Sequence, residues 1–431
     1  MRLLSYLGIA LVAAWRVHAL IRFGCSQLVT ERFDPLVTPG YVSPHLHQIV
    51  GGNAFNLTMN PKNDLPEIST CTTCRFKEDK SNYWTAVLYF KHQNGSYIRV
   101  NQMANHNTGP GLQSGGMTIY YFQTAQNLTI FPKGFRMTVG NATRRANDIN
   151  PNIAASRATS FRCFQGAEDM ASDQVPGWGE ADSFSFPKIP CNGGIRSNIY
   201  FPQCWDGVNL DSADHQSHVA HPIGDPTTGL GFFGTPCPDS HPVRLPLLFM
   251  EIIWDTRPFN DLWPTDGSQP LVFSMGDPNG FGQHADYVFG WEGDSLKKAM
   301  DTCTGGTGIP WDCPVLSLQD VETMNQCRQG EKVPEVVEGQ YIDKLPGCNP
   351  IQVGPNPATL VPNCNAASTT TAAPAPTASP LVVSPPWTVC NPASNPNTIA
   401  INPNCVDYPG PTSAQIPPST APPNQITGVP L

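Results

Sequence analysis

Residues 191–222 contain the greatest concentration of side chains in this sequence that could do chemistry. The segment holds two cysteines, three aspartates, three histidines and a tryptophan, with almost no helical pattern. His215, His218 and His221 recur at every third residue. Neutral imidazole nitrogens are ligands that zinc and copper favour, and an Asp beside a His can orient the ring. We therefore interpret the rest of the chain as a scaffold that presents this segment.

A second histidine pair lies far upstream. His45 and His47 alternate along the chain, so on a β-strand both imidazoles would point to the same face. Together with the downstream histidines they would more than satisfy a zinc or copper site. The alternative is that one histidine of this pair packs and the other is solvated, while the loop histidines bond to backbone carbonyls. The predicted metal ligands are His45, His47, His218, His221 and His241.

Carboxylates in the same region suggest a different chemistry. A glycosidase needs one protonated and one ionised carboxyl group beside an aromatic platform for the sugar. The alternative is that an Asp in a Gly-rich loop caps a turn. The predicted catalytic residues are Asp206, Asp211, Asp214 and His215. The predicted substrate-binding residues are Trp205, Arg196, His284 and Asp286.

The N-terminus has the pattern of a secretory signal, with Arg2, an apolar run and a small-residue cleavage site at Ala19. A membrane anchor is the alternative, but the run is too short to span a bilayer. All 14 cysteines follow residue 19, and an even number of cysteines in an exported chain usually pairs. The predicted glycosylation sites are the sequons at Asn56, Asn94, Asn127 and Asn141.

The charge balance excludes some classes of partner. A net charge of −9 with only 25 Lys and Arg argues against nucleic acid and against an anionic membrane surface. Charged residues make up 14% of the chain, and the polar, uncharged remainder is compatible with glycans. We expect a monomer with no membrane span once the signal is removed.

Composition divides the chain into three parts: a signal peptide at residues 1–19, a globular domain at 20–347 and a C-terminal tail at 348–431. From residue 349 onward the tail has 19 prolines and a single charged residue, Asp407. It cannot bury enough apolar surface to order itself, so we predict a disordered Pro/Thr/Ser-rich stalk. Two similar segments in it, 348–364 and 390–405, suggest two loops that are each closed by a disulfide.

Within the domain, runs of period two rich in aromatic and β-branched residues predict strands. They occur at residues 83–91, 96–100, 117–122, 134–139 and 247–254, and Asn94-Gly95 predicts a hairpin turn. Helices are predicted only at 293–301 and 316–324. These patterns indicate an antiparallel β-sandwich, jelly-roll-like, with long disulfide-pinned loops and few short helices.

Six ordered blocks of sequence carry a resemblance to a known family. They are SPHLHQIVGGNAF at 43–55, CTTC at 71–74, KSNYW at 80–84, IRSNIYFPQCWDG at 195–207, SHPVRLP at 240–246 and QHADYVFGW at 283–291. From about residue 34 to residue 301 the chain resembles the fungal secreted family known as "domain of unknown function, nineteen ninety-six". The resemblance implies a secreted fungal domain, sometimes joined to wall-sensing or carbohydrate-binding modules. It implies no catalytic residues.

We therefore expect a secreted protein, extracellular or cell-wall associated, that acts on a cell-wall or plant polysaccharide, as a glycoside hydrolase-like enzyme. Two alternatives stay open. The first is a non-catalytic wall-binding protein, and the second is a His-ligated metalloprotein with a zinc or copper ion.

Overall fold

The computed structural model describes residues 19–103, 116–125, 128–148, 150, 153–166, 182–224, 235–304 and 308–360. The fold is mainly antiparallel β-sheet, as predicted, with few short helices. No helix in these ranges has the length and apolar character needed to cross a bilayer. The signal segment and the tail beyond residue 360 lie outside the described residues, as does the sequon at Asn127.

The larger sheet, sheet A, has seven strands. They are β1 (Leu20–Cys25), β7 (Gln102–Met103), β8 (Met117–Phe122), β10 (Thr159–Phe164), β11 (Asp182–Ser183), β12 (Gly194–Tyr200) and β16 (Leu247–Trp254). The strands lie in the order β1-β8-β16-β12-β10-β11, with β7 also paired to β16. All these pairs are antiparallel.

The second sheet, sheet B, has five strands. They are β2 (Val29–Glu31), β3 (His47–Gly51), β4 (Asn82–Ala86), β9 (Arg136–Gly140) and β18 (His284–Val288), in the order β2-β3-β4-β18-β9. Two three-stranded sheets complete the β-structure. They contain β5 (Leu88–Lys91), β6 (Tyr97–Arg99) and β17 (Leu271–Phe273), and β13 (Cys204–Trp205), β14 (Val219–Ala220) and β15 (Val243–Arg244).

The main core lies between sheets A and B. Alternate residues of β8, β16 and β18, such as Tyr121, Met250 and Tyr287, belong to one buried apolar cluster. The residues between them point to the outer faces, where smaller clusters form around Trp84 on sheet B and around Phe249 on sheet A. Each sheet therefore has an outer face that is itself buried.

The predicted strands and hairpin correspond closely to observed elements. The Asn94-Gly95 turn joins β5 to β6, and Gly95 has φ +91°, a conformation that favours glycine. The short helices are α1 (Leu65–Ile68), α2 (Ser295–Thr302) and α3 (Val321–Gln326), and 3₁₀ turns include Ala154–Arg157, Arg257–Leu262 and Pro310–Asp312.

The helix predicted to begin at residue 316 begins later. Leu318 instead forms a β-bridge with Phe76, and Asp320 caps the helix by accepting the Thr323 N–H at 2.7 Å. The capping carboxylate therefore defines the start of α3, because it satisfies an amide that would otherwise lack a partner.

Disulfides join distant parts of the chain, as the cysteine content predicts. The pairs are Cys25–Cys74, Cys71–Cys327, Cys163–Cys191, Cys204–Cys237 and Cys303–Cys313. The closely spaced Cys71 and Cys74 each belong to a different disulfide. The first residues of the predicted stalk also pack on the domain, since the Gln352 N–H donates to the Gly276 carbonyl and the Ala358 N–H to that of Thr143.

A buried polar chain crosses the main core. The Tyr83 hydroxyl donates to Asp79 Oδ2 at 2.8 Å and also contacts the Tyr121 hydroxyl at 2.7 Å, which in turn lies 3.0 Å from that of Tyr287. The Ser81 N–H donates to the other oxygen of Asp79. Burial raises the pKa of Asp79 to about 7, so the carboxyl is neutral in acid solution.

Asp79→Asn tests this protonation. Between the ordinary Asp pKa and about 7, the unfolded chain loses a proton that the folded protein keeps, so stability falls as pH rises through that window. We expect the total loss of stability across this window, about 4 kcal/mol in the wild type, to be much reduced in the variant. Urea unfolding at several pH values measures it, with exposed Asp343→Asn as the control. An unchanged slope in Asp79→Asn would contradict the assignment.

Candidate functional site

Three histidines converge on the outer face of sheet B. His45 precedes β3, His47 begins β3 and His284 begins β18, and one nitrogen of each ring lies within 4.8 Å of one nitrogen of the other two. All three are buried, with His45 and His284 each 7% exposed. Within the described part of the chain, the other group at this spacing is Cys25, Cys74 and Asp79, whose sulfurs are joined in a disulfide. We call His45, His47 and His284 the histidine cluster.

Strand register creates this cluster. His47 pairs with Ala86 of β4. Ala285 of β18 pairs with Thr85, so the residue before it, His284, lies beside Ala86 on the other side of β4. His47 and His284 therefore lie in one row with β4 between them. Two strand spacings separate their backbones by about 10 Å. Their side chains lean towards each other, because the ring centroids are only 5.9 Å apart. His45, two residues before His47, adds a third ring 4.3 Å from that of His47.

The geometry fixes the tautomer of His284. Its Nδ1 lies 2.8 Å from the Gly282 carbonyl oxygen, which can only accept, so Nδ1 carries the proton. In the neutral ring, Nε2 then presents a lone pair. This lone pair faces His45 Nε2 at 3.1 Å.

His47 is the least satisfied member of the cluster. Its side chain is fully buried, and neither ring nitrogen has a hydrogen-bond partner. The backbone of Phe33 is near enough to raise the pKa of His47, but it does not form a hydrogen bond with the ring. Each buried polar atom left without a partner costs about 1–3 kcal/mol.

The cluster is held in its neutral form. Burial is the main reason that the pKa of each of the three histidines lies below its usual value, and for His284 the pKa falls to about 4. The neighbouring rings and Arg145 add to the effect on His45. Neutral imidazoles are the form that binds a metal ion.

A carboxyl pair lies on the same face of sheet B. Asp286 follows His284 by two residues, and burial next to Asp34 raises the pKa of Asp286 well above its ordinary value. Asp34 accepts the N–H groups of Leu36 and Val37, and burial raises its pKa as well. Burial therefore favours the neutral, protonated form of both carboxyls.

The predicted catalytic aspartates occupy turns. Asp206 accepts the N–H groups of Val208 and Asn209, and Asp214 accepts those of Gln216 and Ser217. These bonds help to lower the pKa of both carboxyls below the ordinary value. Both are therefore ionised turn caps, as the alternative drawn from the sequence describes.

Asp211 and His215 are hydrogen-bonded to each other and do not belong to the histidine cluster. His215 Nδ1 lies 2.6 Å from Asp211 Oδ1, and its Nε2 lies 3.0 Å from the Leu36 carbonyl. Both contacts need a proton on nitrogen, and the bond to Asp211 is the main reason that the pKa of His215 is raised. His215 therefore ties the 205–221 loop to the segment that contains Asp34.

The other predicted metal ligands are also separate from the cluster. His218 Nε2 contacts the Arg136 carbonyl at 2.9 Å, and His241 Nε2 contacts the Ser217 carbonyl at 3.0 Å. Burial lowers the pKa of His221 to about 4. Within the ranges described, none of these three lies in the cluster with His45 and His47. The third member of the cluster is His284, which the sequence analysis assigned to substrate binding.

The remaining predicted substrate-binding residues are dispersed. The Trp205 indole donates to the Asn209 carbonyl at 2.7 Å, Asp286 is 1% exposed on sheet B, and Arg196 is on sheet A. The sequons at Asn56, Asn94 and Asn141 are exposed, so glycans there stay a prediction that the fold permits.

Comparison with known protein families places the chain in one of them. The family model described as "Domain of unknown function (DUF1996)" matches residues 34–291, which is more than half of the chain. The chain belongs to the DUF1996 family. The matched range contains every member of the histidine cluster and the carboxyl pair. No curated protein and no solved structure matches the chain.

Two histidines of this DUF1996 domain should titrate at opposite ends of the acid range. In the metal-free protein we expect His284 to titrate near pH 4 and His215 above 6.5, because one is buried without a charge partner and the other is paired with Asp211. An NMR titration, with assignments from His284→Asn and His215→Asn, measures both. Titration of both rings near pH 6.5 would contradict the described environments.

Proposed function

We propose that this protein is a secreted metalloprotein that holds one zinc or copper ion at His45, His47 and His284 and acts there on a cell-wall or plant polysaccharide. The observation that carries the metal assignment is the 3.1 Å approach of two Nε2 atoms beside a buried ring whose nitrogens lack partners.

The distances suit a common ion. With metal–nitrogen bonds of about 2.0–2.1 Å, two tetrahedral ligands lie about 3.3 Å apart. The His45–His284 separation of 3.1 Å is close to this value. The Gly282 carbonyl also gives His284 the backbone contact that typically fixes a ligating ring.

A hydrogen bond between the rings could also account for their approach. His45 could carry its proton on Nε2 and donate it to His284. That arrangement is consistent with the 3.1 Å contact but leaves His47 buried with two unsatisfied nitrogens. A metal ion takes the lone pair of His47 as well, so it accounts for the whole cluster rather than two of its members.

The arrangement also defines the chemistry. Three protein nitrogens leave a coordination position open, where zinc would activate a water molecule and copper would support redox chemistry. The residues themselves supply neutral ligands in a buried setting, and burial also raises the pKa of Asp34 and Asp286.

Other observations support the polysaccharide as substrate. The disulfides are consistent with export, and a surface with few charges and exposed sequons suits a neutral, glycan-rich environment. A glycosidase acid must keep its proton, whereas the pKa values of Asp206 and Asp214 are lowered. A metal-assisted reaction therefore fits the geometry better than a pair of these carboxylates.

Metal binding should depend on the cluster and not on histidines elsewhere. We expect about one equivalent of zinc or copper in the wild type after dialysis, and at least a ~100-fold loss of affinity in His47→Ala. His241→Ala is the matched control, because that ring bonds to Ser240 and Ser217 at the surface and should leave affinity unchanged. Elemental analysis and calorimetric titration measure both. Equal affinity in the two variants would refute the assignment.

The wild type and His47→Ala also test whether the protein cleaves a polysaccharide. Incubation of the metal-loaded wild type with fungal and plant glycans should release soluble oligosaccharides, and His47→Ala or prior chelation should abolish the release. Glycan binding without release by a metal-loaded protein would overturn the catalytic part and favour a non-catalytic wall-binding protein.

A further inference from the structure

A segment near the end of the described ranges joins the two loops that carry His45 and His284. It comprises residues 347–358, which we call the strap, and it lies outside residues 34–291, the range that the family model matches. The strap contacts Pro44, which directly precedes His45, and the turn at residues 275–282, which leads into His284 on β18. It therefore bridges the parts of the chain that place two of the three proposed ligands.

The first residue of the strap fits closely against the His45 loop. Gly347 has φ +72°, and a Cβ added there would lie 2.0 Å from the Pro44 carbonyl oxygen, so only glycine fits. The Asn349 side-chain amide donates to the same oxygen at 2.8 Å. This carbonyl group, which forms the peptide bond to His45, is thereby fixed by the strap.

Further along, the strap holds the turn that leads into His284. The Gln352 N–H donates to the Gly276 carbonyl at 3.0 Å, and the Asn279 side-chain amide donates to the Val353 carbonyl at 2.8 Å. The strap donates one of these bonds and the turn donates the other. The turn therefore cannot shift without breaking contacts with the strap.

Hydrogen bonds inside the turn connect these contacts to the His284 ring. Asp277 accepts the N–H of Asn279 at 2.9 Å through one oxygen and that of Gly282 at 2.7 Å through the other. The Gly282 carbonyl accepts the His284 Nδ1 proton at 2.8 Å. This carbonyl fixes the tautomer that leaves Nε2 with its lone pair facing His45 Nε2. A continuous set of bonds therefore leads from the strap to a proposed ligand atom.

The far end of the strap holds the segment that contains a buried arginine. The Ala358 N–H donates to the Thr143 carbonyl at 2.7 Å, two residues before Arg145. Arg145 is 2% exposed, and its Nη2 donates to the Met275 carbonyl at 3.0 Å, at the start of the same turn. Its positive charge contributes to the lowered pKa of two rings of the cluster, His45 and His284. The strap thus also holds the cation that helps to keep these rings neutral.

We propose that the strap positions the rings of His45 and His284, so that the histidine cluster needs residues 347–358 as well as the strands that carry it. Asn349 and Asn279 are positioning residues in this arrangement, because they act through the Pro44 carbonyl and through the turn. The consequence for metal affinity rests on the proposed function. The placement of the rings does not, because it can be measured in the metal-free protein.

A substitution at Gly347 tests the contact with the His45 loop. In Gly347→Ala the added Cβ must push the strap and the Pro44 carbonyl apart. We expect the ring-nitrogen NMR signals of His45, assigned with His45→Asn, to shift in the metal-free protein, and zinc affinity to fall about tenfold.

Gly339→Ala is the matched control for Gly347→Ala. Gly339 has a similar φ of +81°, but an added Cβ there would meet open space. The control should therefore carry the same backbone strain and leave the His45 signals and zinc affinity unchanged. Wild-type His45 signals in a folded Gly347→Ala, or equal changes in the two variants, would overturn the proposal.

Asn279→Leu tests the strap from the other side and does not depend on whether Gly347→Ala folds. It removes the bond to the Val353 carbonyl with little change in side-chain volume. We expect the ring-nitrogen signals of His284 to change from the single Nδ1–H tautomer to a mixture in the metal-free protein. Zinc affinity should fall about threefold to tenfold.

Asn60→Leu is the control for Asn279→Leu, because Asn60 is exposed and accepts the N–H of nearby Lys62. A lower melting temperature in Asn279→Leu with wild-type His284 signals would indicate a structural role alone and contradict the proposal. Ring signals that change in Asn279→Leu and not in Asn60→Leu, in a protein that binds no zinc, would refute the proposed metal site and still support the strap.

Discussion

The proposed metal site depends on how imidazole groups are buried on the outer face of sheet B. Burial makes a charged imidazole costly, so the rings of the histidine cluster are neutral, with the pKa of His284 near 4. Neutral rings still need partners for their nitrogens. The Gly282 carbonyl satisfies one nitrogen of His284, whereas His47 has no partner for either nitrogen. This arrangement is costly for folding and suited to ligation, and on that basis we propose a metal ion there.

Much of the architecture could be predicted because its signals are local. Alternation of apolar residues identified β8, β9 and β16, and Asn94-Gly95 identified the turn between β5 and β6. The order of strands could not be predicted, because it depends on pairs such as His47 with Ala86 that are remote in sequence. The start of α3 was misplaced because the apolar residues at 316–318 pack as extended chain.

The candidate site was predicted only in part, because it too depends on pairs of residues that are remote in sequence. The alternation of His45 and His47 was visible in the sequence, but the third member depends on the register of β18 against β4. The every-third spacing of His215, His218 and His221 attracted attention because it is local. In the structure His215 and His218 hold the loop against the Asp34 segment and β9, through the carbonyls of Leu36 and Arg136. The spacing of histidines along a loop does not show whether their rings lie close together in the fold.

The histidine cluster on sheet B is a group of buried polar side chains whose partners within the chain are incomplete. The chain of hydrogen bonds from Asp79 to Tyr287 shows, by contrast, how buried polar groups of the main core are satisfied. The histidine cluster is therefore where we propose that a ligand completes the structure.

X-ray absorption spectroscopy of the protein loaded with one equivalent of zinc tests the metal site most directly. Ligation by the histidine cluster predicts three nitrogen ligands at about 2.0–2.1 Å with the outer-shell scattering of imidazole, and loss of that signal in His47→Ala. A spectrum without imidazole scattering, or one that His47→Ala leaves unchanged, would contradict it.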